Sequence, residues 1–248
     1  MHRFFVKPEQ WNEEDAFIEG EDYNHIHNVL RMKAGEELLV CDEGEKEYQC
    51  KIVGYDETLF HVNLEIVDVF GNARELPTEL VLFQGYPKGD KLEWIVQKAV
   101  ELGVSKIVPV SMKRCVVKLD DKKAAKKVER MSAIGLSAAK QSKRGKIPEV
   151  TSVMSMKEAC EYAKTLEYVL LPYENAEGME AARTLIANAK GKKSVGIFIG
   201  PEGGFAPEEV AMIEAIGGKT MSLGHRILRT ETAGMTILSL LMFLIDED

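Results

Sequence analysis

Hydrophobic and polar positions change rhythm once along this chain, close to Pro77. Before it, apolar residues recur at short intervals between turn signals. Glu37 to Cys41 predicts a strand, and Asp42-Glu43-Gly44 a turn after it. Tyr48 to Tyr55 and Leu59 to Val69 alternate or run β-branched, with Gly54 and Asp56-Glu57 as punctuation. Strands this closely spaced predict a small barrel. Tyr23 to Leu30 predicts one short helix ahead of them. Gly71 to Pro77 breaks the pattern as a linker, which sets a first domain at 1–72 and a second at 73–248.

Beyond Pro77, apolar strands alternate with helices. Strands are expected at Leu80–Gln84, Ile107–Val110, Tyr168–Leu171, Val195–Ile199 and Thr220–Leu223. Pro109 argues against a central place for the second of these. Helices are expected from Asp90 to Leu102, closed by Gly103, from Asp120 to about Ser142, and from about Thr232 to the end. This alternation is an α/β pattern, with a parallel sheet covered on both faces.

The apolar run Ala233 to Ile245 is 13 residues long, too short to span a bilayer. A helix so apolar all round must be buried on more than one side, and one sheet face is all its own domain supplies. A homodimer is therefore expected. Met1 to Pro8 lacks the apolar core of a signal peptide, and Cys41, Cys50, Cys115 and Cys160 form no CxxC pair. These features predict reduced thiols, a cytoplasmic location, and neither a metal site nor a membrane partner.

The net charge of −8 opposes binding to nucleic acid, but it is an average. Residues 1–70 carry −11 and residues 113–146 carry +9, from 12 basic and three acidic side chains. An acidic chain thus holds one concentrated basic segment, either a footprint for a polyanion or a solvated lysine-rich helix face.

Ligands of open α/β sheets bind beyond the carboxyl ends of the strands. Three such ends carry unusual residues. After Ile199 come Gly200-Pro201-Glu202-Gly203-Gly204-Phe205, then Pro207 and two carboxylates opening a helix. Three glycines in five residues let backbone approach a ligand, where a plain tight turn would need one. The string matches neither a P-loop nor GxGxxG, and Glu208 and Glu209 compete with any phosphate for the helix N-terminus. A cationic or zwitterionic ligand bearing an adenine suits it better. The second end, Ser222 to Ala233, joins a glycine turn and two arginines to the final helix; capping by Thr230 or Thr232 with surface arginines is the plainer alternative. The third, Leu170-Leu171-Pro172-Tyr173-Glu174, is weak alone.

Ile199 to Phe205 and Leu223 to Ala233 resemble the C-terminal signatures of the ribosomal RNA small-subunit methyltransferase E family, within the SPOUT superfamily. Met1 to Val6, His25 to Lys33, Arg114 to Lys118 and Ala138 to Arg144 resemble that family too, so the likeness spans nearly the whole chain. Lys140 departs from it, where many members carry an acidic residue. The resemblance implies a PUA-like β-barrel, for RNA binding, before a SPOUT domain with a trefoil knot. It implies S-adenosylmethionine as cofactor, N3 of a uridine in the decoding region of 16S rRNA as acceptor, a 16S rRNA or 30S partner, and a homodimer.

Cofactor contacts are then expected from Leu171, Pro172, Gly200, Pro201, Glu202, Gly203, Gly204, Leu223, Gly224, Ile227, Leu228, Arg229, Thr230, Thr232 and Ala233. Arg229 is expected to stabilise the N3 anion, and Glu231, with Glu202 as the other candidate, to accept the proton. Arg3, Lys7, His25, Arg31, Arg114, Gln141 and Arg144 are expected at the RNA. His25 and His27 are equally suited to a structural role. Competing readings are a non-catalytic ribosome-assembly factor, a SPOUT enzyme with another RNA target, and a Rossmann-type nucleotide enzyme. The intact glycine loop argues against the first of these, and its late position against the last.

Overall fold

The computed structural model describes residues 1–12, 15–42, 46–71, 74–117, 121–174, 176 and 178–246. Glu43 and Gly44 of the expected turn, Asn72 and Ala73 of the expected linker, Lys118, and the expected helix start at Asp120 lie outside them. The chain forms two compact units: residues 1–75 with 139–147, and residues 76–138 with 148–248. Nothing in the hydrophobic pattern signals the return of 139–147 to the first unit.

In the first unit, strands β1 (Arg3–Phe5), β2 (Asp15–Ile18), β3 (Glu37–Cys41), β4 (Lys46–Asp56) and β5 (His61–Gly71) form one sheet in the order β1-β3-β4-β5-β2. Neighbours are antiparallel except β1 with β3. Alternation aims Phe4, Ile18, Leu38, Val40, Ile52, Val62 and Leu64 into one core shared by all five strands. A single sheet reaches one core from every strand by curling around it, as the barrel expectation required. The short helix begins earlier than expected, as α1 (Gly20–Asn24), and continues as a π-helical stretch from His25 to Leu30. It ends at Arg31, whose φ is +54°. Tyr23 and Ile26 seat the helix on the core.

The second unit holds a seven-stranded parallel sheet. Its strands are β6 (Glu79–Gly85), β7 (Lys106–Ser111), β8 (Glu149–Val150), β9 (Met154–Ser155), β10 (Tyr168–Pro172), β11 (Ser194–Ile199) and β12 (Lys219–Met221). The order is β12-β10-β11-β6-β7-β8, with β9 also on β7. Near-continuous apolar runs make β6 and β11 almost wholly buried, as strands covered on both faces must be. The helices are α2 (Lys91–Glu101), α3 (Asp121–Gln141, reaching into the first unit's segment), α4 (Met156–Ala163), α5 (Met179–Ala187), α6 (Pro207–Ala215) and α7 (Thr230–Ile245). Against expectation, β12 stops at Met221, leaving Ser222 and Leu223 to the following loop, and α7 starts two residues early.

Pro109 sits inside β7, opposite Gln84 of β6. On the other flank, pairing passes from β8, opposite Lys106 and Ile107, to β9, opposite Val110 and Ser111. Ile107 accepts from Thr151 N on that flank, and the two-residue period turns Pro109 the same way. The missing N–H therefore faces the break between β8 and β9, where no ladder bond is lost. Among the described residues no helix is long and apolar enough to cross a membrane. The four cysteines are free.

Candidate functional site

β10, β11 and β12 lie side by side and parallel, so their carboxyl ends open at one edge of the sheet. The loops leaving them enclose a cavity of about 370 Å³, within the usual range for small-molecule sites. Pro172, Tyr173 and Glu174 line it from the first loop, Gly200, Pro201, Glu202, Gly204 and Phe205 from the second, and Ser222 to Arg229 from the third. Ile199 at the end of β11, Thr230 and Ala233 of α7 and Lys91 of α2 complete the wall.

The second loop is shaped by its own chemistry. Gly204 N donates to Pro201 O at 2.9 Å, and Gly204 takes φ +69°, a conformation that favours glycine. A side chain at Gly200 would crowd the loop, since a Cβ there would lie 3.1 Å from the Phe205 ring. Pro207 opens α6, and Glu209 folds back so that its carboxylate accepts from Ala206 N at 2.8 Å and from Lys113 N at 2.7 Å. That helix N-terminus is thus closed by its own acid, which leaves no place for a phosphate. Gly203 departs from expectation. Its missing side chain faces Arg114, whose Cβ and carbonyl would stand 3.0 and 3.2 Å from an added Cβ, so Gly203 packs behind the cavity wall.

The third loop meets the second through a buried hydroxyl. Thr230 Oγ1 donates to Gly200 O at 2.6 Å and accepts from Gln84 Nε2 at 2.8 Å. Neither Thr230 nor Thr232 caps α7; the N-cap is Arg229, itself exposed at the cavity. Thr232 is exposed outside the lining. Leu171 is wholly buried in the strand beneath.

The acids behave differently from one another. Glu202 accepts from Lys91 Nζ at 2.8 Å and from Lys88 N at 3.2 Å. Burial pushes its carboxyl up, but the hydrogen bond and charge of Lys91, together with backbone hydrogen bonds from Glu202 and Lys88, outweigh this and hold it below the usual range. Glu231 stands just behind the wall with Oε2 buried and without a hydrogen bond, 3.8 Å from Lys91 Nζ. Among the described residues no group of three His, Cys, Asp or Glu is placed to hold a metal ion.

The expected RNA contacts divide. Lys7, His25, Arg31, Arg114 and Gln141 are exposed. Arg114 Nη1 donates to Gly203 O at 3.0 Å, which fixes it beside the glycine loop. Arg3 and Arg144 correct the expectation. The Arg3 side chain is 3% exposed and grips both oxygens of Glu47, at 2.6 and 3.0 Å. The Arg144 side chain is 5% exposed and grips Glu75 at 2.5 Å and 2.8 Å. Both arginines stitch the first unit together and offer no free guanidinium to a ligand. His27 stacks on Tyr23 at 5.5 Å, which gives His27 the structural role while His25 stays exposed. The basic segment is also partly spent within the protein: Lys113 pairs with Glu208, Arg130 with Glu93, and Lys140 with Asp22.

Sequence patterning passed over Lys91 and Gln84, and named Phe205 only as the end of the glycine-loop motif. Only Gln84, one polar residue ending an apolar strand, carried a signal that could have been read. A second, larger cavity of about 640 Å³, lined by residues such as Tyr86, Ser111, Val117, Val128 and Met154, contains none of the expected site residues.

Comparison with known proteins points to one family. An RNA methyltransferase domain model matches residues 74–242, and an RNA methyltransferase PUA domain model matches residues 18–65. The chain is 37% identical to the ribosomal RNA small subunit methyltransferase E of Bacillus subtilis over 98% of its length and 96% of the relative's. It is 32% identical to that of Mesomycoplasma hyopneumoniae, covering 96% and 98%. A crystal structure of the Neisseria gonorrhoeae enzyme of that name, bound to S-adenosyl methionine, superposes with TM-score 0.82 at 28% identity, covering 98% of each chain.

Proposed function

The chain belongs to the ribosomal RNA small subunit methyltransferase E family, and we propose that it methylates N3 of a uridine in the decoding region of 16S rRNA, using S-adenosylmethionine. The observation that carries this reading is the convergence of three strand-end loops on one cavity of cofactor size. The lining suits that cofactor. Phe205, Leu223, Ile227 and Leu228 supply apolar surface, the glycine loop supplies close backbone, and Glu174 and Glu202 supply negative charge for a cationic ligand. When bound, the sulfonium supplies an activated methyl group and needs no metal.

The protein's part is to align the acceptor and manage the N3 proton. Arg229, exposed at the cavity mouth, is the cation for the N3 anion. Of the two acids, Glu202 accepts from Lys91 and Lys88 through Oε1 and is held below the usual carboxylate range, which makes it the weaker base, whereas Oε2 of Glu231 takes no hydrogen bond; Glu231 is therefore the proton acceptor we favour. Arg114, next to the glycine loop, and the exposed Lys7, His25, Arg31 and Gln141 are the RNA contacts in this reading. The remaining cofactor contacts are the cavity-lining residues of the three loops, with Leu171, Gly203 and Thr232 supporting them from outside the lining.

We place the working enzyme in the cytoplasm as a homodimer. On α7, Leu240 and Phe243 stay 43% and 87% exposed, and Trp94 of the adjoining α2 45%, an apolar surface that a second copy would cover. Light scattering should give about twice the 27.7 kDa chain mass, and a monomer mass would remove this part. The reaction is tested by mass spectrometry of 16S rRNA from a strain lacking the protein. One uridine should lack one methyl, restored in vitro by protein and S-adenosylmethionine on naked RNA or on 30S particles. An unchanged methylation pattern would overturn the assignment.

A further inference from the structure

Gln84 is completely buried at the end of β6, yet its Oε1 has no hydrogen-bond partner. A buried orphan acceptor costs stability, so its retention asks for a reason. The hydrogen-bond directions supply one. Gly200 O can only accept, so the single hydrogen of Thr230 Oγ1 goes to it, at 2.6 Å. Thr230 Oγ1 must then accept from Gln84, at 2.8 Å. The other hydrogen of Gln84 Nε2 goes to Gly85 O at 3.0 Å. Flipping the amide would set Oε1 against a carbonyl and a hydroxyl with no hydrogen left to give. The orphan oxygen is therefore a consequence of holding Thr230 in one orientation.

That orientation joins two loops of the cavity. Thr230 opens α7 directly after the third loop, and Gly200 opens the second. The next residue of β6 braces the same place: a Cβ on Gly85 would lie 2.6 Å from both Pro201 N and Cδ, so only glycine lets the loop pass. Gln84 and Gly85 together fix the Gly200-Pro201 peptide from below, without either of them lining the cavity.

We propose that Gln84 is a positioning residue for the cofactor, acting through Thr230 to hold the second and third loops in their binding arrangement before the ligand arrives. The inference rests on the cavity being the S-adenosylmethionine site. It predicts that Gln84 and Thr230 act on affinity as one unit, which a residue that merely supports the core would not do.

The test is a double-mutant cycle on the full chain, with calorimetric titration of S-adenosylmethionine and thermal melts of each protein. Gln84→Met and Thr230→Val should each weaken binding about tenfold, and the double variant no more than the worse single. Thr230→Ser, which keeps the hydroxyl, should bind like wild type. Independent losses multiplying to about a hundredfold, or single losses under about twofold, would overturn the proposal. So would a Thr230→Ser loss equal to that of Thr230→Val. Should Gln84→Met fail to fold, Gln84→Asn, whose shorter amide cannot span the gap, takes its place in the cycle. Wild-type protein that does not bind S-adenosylmethionine would overturn the underlying cofactor reading itself, a result distinct from wild type binding and the cycle being additive.

Discussion

The glycine loop after β11 and the arginines of the first unit make opposite use of conspicuous residues. In the loop, Gly200, Pro201, Glu202 and Gly204 stand on the cavity wall, where their spacing at a strand end placed them. Arg3, one of few basic residues in an acidic stretch, and Arg144, within the basic segment, are instead locked onto Glu47 and Glu75. The difference is one of what determines position. A glycine-rich turn is defined by the backbone between a strand and a helix, so sequence alone locates it. A guanidinium on a long side chain goes wherever a carboxylate is, and those carboxylates lie 44 and 69 residues away in the chain.

The sharpest way to break this comparison is Arg144→Ala. If the arginine is structural, its loss leaves Glu75 without its guanidinium partner, a disruption worth about 3–5 kcal/mol for a buried pair. Denaturant melts should show that loss, and RNA affinity measured where the variant is still folded should change little. Wild-type stability with a steep fall in RNA binding would restore Arg144 to the interface.

Arg229→Ala probes the other side. Arg229 does reach the cavity, as Arg226 also does, and it stands at the N-cap of α7, making no side-chain cap bond there. If it stabilises the acceptor anion, kcat should fall about 10²–10³-fold, the scale of losing one preorganised donor, with the melting temperature little changed. An effect confined to S-adenosylmethionine affinity would make it a cofactor contact only.

The fold was more legible than the site, and the reasons are physical. Strand and helix periodicity reports burial directly, so the alternation after Pro77 yielded the parallel sheet. Pro109 misled only in part, because the break between β8 and β9 that accommodates it involves chain some 40 residues further on. Gly203 was legible as a glycine that must be glycine but not as to why, since the atom it avoids belongs to Arg114. Lys91 was invisible: nothing local to it announces Glu202, 111 residues later.

The Arg3–Glu47 pair makes the comparison sensitive to pH. Burial pushes the Glu47 carboxyl up, but hydrogen bonds and charge from Arg3, with help from Arg74, outweigh this and hold it below its ordinary value of 4.5. A depressed folded pKa contributes stability that is complete above the unfolded value and is lost as pH falls through the folded one. Melting temperatures should therefore drop below about pH 4.5 more steeply for wild type than for Glu47→Gln. Glu47→Gln should also be less stable than wild type at neutral pH, because Arg3 is then buried without its anion. Parallel acid slopes in the two proteins would sink the assignment.

The smallest effects decide how far the comparison extends into the basic segment. On the N-terminal part of α3, Lys126 is exposed and Lys127 partly so, and among the described residues neither has an ion-pair partner, so they act on a polyanion only through the general field. Arg114, by contrast, is exposed and oriented by its bond to Gly203 O, a few ångströms from the loop that lines the cavity. Replacing both lysines with Gln should cost less than about 0.5 kcal/mol of RNA affinity, as exposed charges usually do. Arg114→Ala should cost about 1–3 kcal/mol and, if the contact is a phosphate, lower the slope of log affinity against log salt by about 0.7–0.9. S-adenosylmethionine affinity should survive the lysine changes intact. Filter binding across a salt series separates the cases: equal losses for Arg114 and the lysine pair would mean that fixed geometry beside the cavity confers nothing beyond charge, and that the RNA is held somewhere other than this loop.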